Sequence, residues 1–161
     1  MTRSLILFDD EVARGWDPFS LTRPVGELLF GALLLRERAE RHWGAACDAH
    51  LSSDALVGFS EPGSPPVVGE SDLSTRQHRI LQVSRAVLAG KAQESGDRAA
   101  TLVLKGEVVG WILPPGAALP SPERLLRPEP IPGSETLEVA VPLPATPPPA
   151  PPPPRQPPPT P

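Results

Sequence analysis

Two carboxylates and two guanidinium groups near the start of the chain are the residues best placed to do chemistry. Asp9 and Asp10 directly follow a short apolar run, Leu5 to Phe8, and Arg14 and Arg23 lie in the polar stretch that comes next. Adjacent acids at the end of a strand suit a metal ion or a general base. They equally suit a loop anchor or a helix cap, because a carboxylate accepts the free amides of a first helical turn. Arginine presents a planar fork of donors matched to phosphate, and a loop that leads into a helix N-terminus adds free amides and the helix dipole. Arg14 and Arg23 are therefore candidate phosphate-binding residues. The alternative is that Arg23 pairs with Asp9 or Asp10 and only orders the loop. No catalytic nucleophile stands out. No serine sits at a strand-to-helix elbow, and Cys47, His42, His50 and His78 lack the paired spacing of a zinc site.

Positioning these groups requires a strand, a loop and a helix in that order. Leu5 to Phe8 is short, continuous and apolar, the pattern of a buried parallel strand, and Asp9 ends it. Asp9 to Pro24 reads as a long loop punctuated by Gly15, Pro18 and Pro24. Leu28, Ala32, Leu35, Ala39 and Trp43 recur at helical spacing and predict a helix over Glu27 to Trp43, closed by Gly44. Within it, Arg36 precedes Glu40 and Glu37 precedes Arg41 by four residues, so R-E-R-A-E-R reads as a solvated face. Strand, ligand-facing loop and helix form the opening unit of an α/β domain, in which ligands sit outside the carboxyl ends of the strands.

Downstream signals are weaker. Asp54 to Phe59 and Ile80 to Leu88 read as a second and third strand. Thr101 to Leu104 and Val108 to Leu113 flank Lys105-Gly106-Glu107 as a hairpin. Pro114 to Pro122 interrupts regular structure. Glu135 to Val141 reads as a possible last strand with nothing after it to pair with.

Composition bounds the rest. Of 25 prolines in 161 residues, 13 fall between Pro142 and Pro161. Proline lacks the amide donor and fixes its own backbone angle, so residues 131–161 are read as a disordered proline-rich tail, able to dock on protein partners. Residues 1–130 are left as one α/β domain. A net charge of −4 without a basic patch argues against nucleic acid and anionic membrane as partners. The single Cys47 points to a reducing compartment, the apolar start is too short for a secretory leader, and the expectation is a cytoplasmic protein.

One further pattern goes beyond composition. Arg14, then Pro18-Phe19-Ser20-Leu21-Thr22-Arg23-Pro24, then an apolar segment ending in Arg-Glu-Arg-Ala-Glu-Arg, resembles the start of sugar-1-phosphate nucleotidyltransferases. The likeness is greatest to a divergent branch, similar to N-acetylglucosamine-1-phosphate uridylyltransferase, that reads L-F-D-D near its start and T-R-P before its helix. Fainter likeness continues through L-Q-V-S-R-A-V-L and the L-V-L-K-G-E-V-V-G hairpin. The resemblance implies a Rossmann-like nucleotidyltransferase domain, Mg²⁺, a nucleoside triphosphate and a sugar 1-phosphate as substrates, and pyrophosphate as product. Departures accompany it. Asp9-Asp10-Glu11-Val12-Ala13 replaces the family's glycine-rich loop, Val25 stands where the family has lysine after proline, and Ser84 where the branch carries asparagine. The expectation is an N-terminal portion of such an enzyme, truncated or frame-shifted and without a complete active site. The alternatives are a non-catalytic interaction protein with a proline-rich arm, and a fragment that does not fold alone.

Overall fold

A computed structural model describes residues 3–92, 96 and 98–139. Its centre is a six-stranded mixed sheet. The strands are β1 (Arg3–Phe8), β4 (Cys47–Leu51), β5 (His78–Val83), β6 (Ala100–Leu104), β7 (Glu107–Leu113) and β8 (Glu135–Glu138), in the order β4-β1-β5-β7-β6-β8. β1 runs parallel to both β4 and β5, and β6 parallel to β8; β7 is antiparallel to its two neighbours. A short ribbon, β2 (Leu29–Phe30) with β3 (Leu33–Leu34), precedes the main helix α2 (Leu35–Trp43). The remaining helices are α1 (Glu11–Arg14) and α3 (Pro122–Leu126). This mixed α/β sheet fits the Rossmann-like expectation. Among the described residues no helix is long and apolar enough to cross a membrane.

Both faces of the sheet are covered, which is why β1 is apolar without alternation. Trp43 of α2 donates from its indole to Gln82 Oε1 at 2.7 Å, so α2 lies on the Gln82 face of β5. Leu81, which points the other way, pairs with Trp111. Trp111 stacks on Phe8 with ring centroids 5.4 Å apart, and its indole donates to the Glu129 carbonyl, so the segment around α3 closes that second face. Leu5, Ile6, Leu7 and Phe8 are buried on both sides. Each such side chain contributes roughly 1.5–3 kcal/mol on leaving water.

Three expected elements differ. The helix predicted over Glu27 to Trp43 begins only at Leu35. Pro24 leads into a single tight turn, Val25–Glu27, and Gly31 at φ 70° turns the chain into the β2–β3 ribbon. Gly31 inside the run disfavours a helix by about 1 kcal/mol, and Gly26 stands directly before it. The second strand is Cys47–Leu51, not Asp54 to Phe59, which holds a tight turn at Asp54–Leu56. C-D-A-H-L hides its apolar face because His50, fully buried, is satisfied by a carboxylate. The third strand stops at Val83, where Ala86 N–H bonds back to the Val83 carbonyl and turns the chain.

Elsewhere the expected elements stand. β6 and β7 form the predicted hairpin across Lys105 and Gly106, both left-handed, at φ 52° and 82°. β8 finds its partner in the earlier β6, not in anything after it, and the expected boundary at residue 130 falls before this strand. Residues 140–161, most of the predicted tail, lie outside the described residues.

Candidate active site at the ends of two central strands

The chain leaves β1, forms β4 on one side, then crosses back to form β5 on the other. Outside the carboxyl ends of β1 and β5 the connections diverge, the place where open α/β sheets hold ligands. Backbone bonds lace the three strand ends together. Asp9 N–H donates to the Leu51 carbonyl and Ser84 N–H to the Phe8 carbonyl, each at 2.8 Å.

Asp9 is buried. Its Oδ2 accepts from the Val25 amide at 3.2 Å and from the Ser52 hydroxyl, which pins the Pro24–Val25 turn over the strand ends. Its Oδ1 has no partner among the described residues, and neither has the fully buried Ser84 Oγ just past the end of β5. Asp10 caps α1, with Oδ1 accepting from Ala13 N–H at 2.9 Å. The same carboxylate receives Arg85 side-on, with Nε 3.0 Å from both oxygens and Nη2 2.7 Å from Oδ2. That bond to Asp10 raises the Arg85 guanidinium above its usual range against the opposing effect of burial. The two acids thus serve as loop anchor and helix cap.

The two candidate arginines sit differently. Arg14, partly buried, donates from Nε to the Asp9 carbonyl at 3.0 Å and from Nη2 to the Ser52 carbonyl at 3.1 Å. It stands against the ends of β1 and β4, and among the described residues no ion pair joins it to Asp9 or Asp10. Arg23 points away to Glu61 in a half-exposed pair at 2.9 Å. Neither arginine bonds the carboxylate of Asp9 or Asp10, so the alternative in which Arg23 pairs with them to order the loop is not what the structure has; Arg85 fills that place at Asp10.

Two further groups were hidden in the sequence. Arg85 falls in the middle of the strand predicted over Ile80 to Leu88; with β5 ending at Val83 it becomes a strand-end residue. Glu27, read as a helix-start acid, turns inward. Its Oε1 accepts from His50 Nε2 at 2.8 Å and from Arg36 Nε at 2.6 Å, and Arg36 also reaches Glu40 at 3.2 Å. Because a carboxylate only accepts, His50 carries its proton on Nε2. Burial by itself pushes the Glu27 carboxyl up, but the bonds and charges of His50 and Arg36 outweigh it and hold the group below its ordinary range. Arg36 therefore lies in a partly buried network, not on a solvated face. Cys47 is buried, and burial pushes its thiol up to about 12.

The Mg²⁺ implied by the resemblance needs oxygen donors. Asp10 has both oxygens engaged, Asp9 offers one buried oxygen, and among the described residues no group of three or more His, Cys, Asp or Glu is placed to hold a metal ion. These side chains do not by themselves make a protein-built Mg²⁺ site.

Comparison with curated proteins finds no match, and none is found among solved structures. A family profile described as sugar nucleotidyl transferase matches residues 5–93. That span covers more than half of the chain and contains β1, the Asp9–Asp10 turn, α2, β4, β5 and Arg85, so the chain belongs to the sugar nucleotidyl transferase family.

Proposed function

We propose that the chain provides the nucleotide-binding half of a site for nucleotidyl transfer from a nucleoside triphosphate to a sugar 1-phosphate. In that reaction an oxygen of the sugar phosphate bonds to the α-phosphorus, the bond to the bridging oxygen of the β-phosphate breaks, and pyrophosphate leaves. One observation supports this reading most: within the family-matched stretch, arginines gather where the β1 and β5 connections diverge. Phosphoryl chemistry of this kind depends on positioning and charge neutralisation. Arg14 binds phosphate beside the β1 end, and Arg23 joins it by exchanging Glu61 for the substrate. Asp9, through its unpartnered oxygen, is the candidate base or metal contact. A Mg²⁺ carried on the phosphates of the nucleotide would supply further charge neutralisation while keeping its waters and few protein ligands. The finer reading is a uridylyltransferase acting on N-acetylglucosamine 1-phosphate. Pyrophosphate release should be assayed over a panel of nucleoside triphosphates and sugar 1-phosphates with Mg²⁺. Turnover that requires both substrates supports the reading; its absence for every pair sinks it.

A second reading has one observation behind it. Phe19, Leu21, Leu29 and Phe30 are 55–70 % exposed, which favours a non-catalytic interaction protein. Replacing Phe19 and Leu21 with serine separates the two. The interaction reading requires loss of partner capture, whereas the enzymatic reading requires turnover by the parent chain.

A further inference from the structure

We propose that Arg85 is a second phosphate-binding residue of this site, opposite Arg14, and that Asp10 is the positioning residue that aims it. The inference rests on the nucleotidyl-transfer reading above and adds a residue to its binding machinery.

The geometry has three parts. First, the two arginines flank the end of β1. Arg14 lies against the carbonyls of Asp9 and Ser52, towards β4, and Arg85 comes from the end of β5 on the other side. Second, Arg85 is hydrogen-bonded from one side only, with Glu107 acting on it through charge alone. Asp10 takes Nε and Nη2, and Nη1 has no bond to a described residue, so the outer edge of the guanidinium keeps donors to offer. Arg85 is 24 % exposed at its side chain against 2 % for Asp10, so a ligand reaches the arginine and not its carboxylate partner. Third, the support is itself immobilised. Asp10 is fixed by the Ala13 amide. The chain beyond Arg85 is tied to α2, where His42 Nδ1 lies 3.1 and 3.0 Å from the Ala89 and Gly90 carbonyls. A fork locked on one edge and open on the other is preorganised for a second planar, bidentate anion. A plain structural tie between two loops would need none of the open edge.

The test measures pyrophosphate binding by calorimetry, with melting temperature recorded for each variant without ligand. Arg85→Lys keeps a charge for Asp10 but loses the fork. It should melt like the parent and bind pyrophosphate at least about tenfold more weakly. Asp10→Asn keeps the helix cap, since asparagine caps as well as aspartate, but releases the guanidinium. It should also bind more weakly, although it removes a negative charge from the site. Arg41→Ala, which removes one positive charge from the exposed end of α2, should bind as the parent does. Parent-like binding by Arg85→Lys, or binding by Asp10→Asn as tight as the parent's, overturns the proposal. The failures are distinguishable. If parent and variants behave as expected but no substrate pair turns over, the reaction is wrong and Arg85 stands. If the parent turns over while Arg85→Lys binds normally, the reaction stands and Arg85 is wrong.

Discussion

Glu27 joins the Val25–Glu27 turn to β4 through His50 and to α2 through Arg36. Replacing it with alanine leaves His50 Nε2 without an acceptor and Arg36 with Glu40 alone, and breaking a buried pair in this way costs about 3–5 kcal/mol. Urea denaturation of Glu27→Ala should show that loss. The same carboxylate makes stability depend on acid. Its folded-state pKa lies below the ordinary 4.5, so its contribution is fully present above that value and is lost as pH falls through the depressed folded value. In the parent the urea midpoint should fall on acidification below about 4.5, with a smaller fall in Glu27→Ala. Gly26 is tied to the same network, because a Cβ there would stand 2.7 Å from His50 Cε1 and 3.0 Å from Leu7 Cδ1. Gly26→Ala should lower stability by about 1–3 kcal/mol, read by the same denaturation. The sequence shows the types of Asp9, Asp10, Arg14 and Arg23 and their shared loop. It does not show who pairs with whom. Asp10 meets Arg85 across 75 positions and Glu27 meets His50 across 23, and no local spacing encodes contacts made by strands laid side by side.

At the level of elements, β1 and the β6–β7 hairpin were legible because their signals are local: an apolar run ended by acids, and two β-rich runs around a glycine turn. Helical spacing from Leu28 to Trp43 was genuine only from Leu35 onward, since tertiary burial of Glu27 and the turn at Gly31 override it. β4 stayed hidden because its buried histidine reads as polar. The hairpin turn yields a stabilising prediction. Lys105 occupies a left-handed conformation that strains a side-chain-bearing residue, and asparagine before glycine is the favoured pair there. Lys105→Asn should raise stability by about 1 kcal/mol, seen as a higher melting temperature. Gly110 marks the opposite extreme. A Cβ at this position, φ 153°, would collide with the Leu81 carbonyl oxygen. Gly110→Ala should break the β5–β7 pairing, and the variant should lose its cooperative thermal transition.

For the whole molecule, β8 decides where the folded unit extends. It supplies the outer partner of β6, with Glu135 N–H on the Ala99 carbonyl and Val139 N–H on the Val103 carbonyl, and Ser134 meets Thr101. A chain ending at residue 130 should melt below one ending at residue 139 and associate more readily on size exclusion, because β6 becomes an open edge. Domain extent was the least legible property of the sequence, since a strand of four exposed or half-exposed residues beside a proline-rich stretch has almost no apolar signature. The three tryptophans lie at three depths. Trp111 is fully buried, Trp43 is half-buried and bonded to Gln82, and Trp16 is 39 % exposed two positions beyond Arg14. With no tyrosine in the chain, its ultraviolet emission is a sum of these indoles. Trp16 is the one a solution quencher such as iodide reaches most easily, and it is a built-in optical reporter beside the candidate site. Ligand arriving at Arg14 and Arg85 should change quenching of Trp16 while the blue-shifted light of Trp111 holds steady, and unfolding should do the reverse, moving Trp111 to longer wavelength.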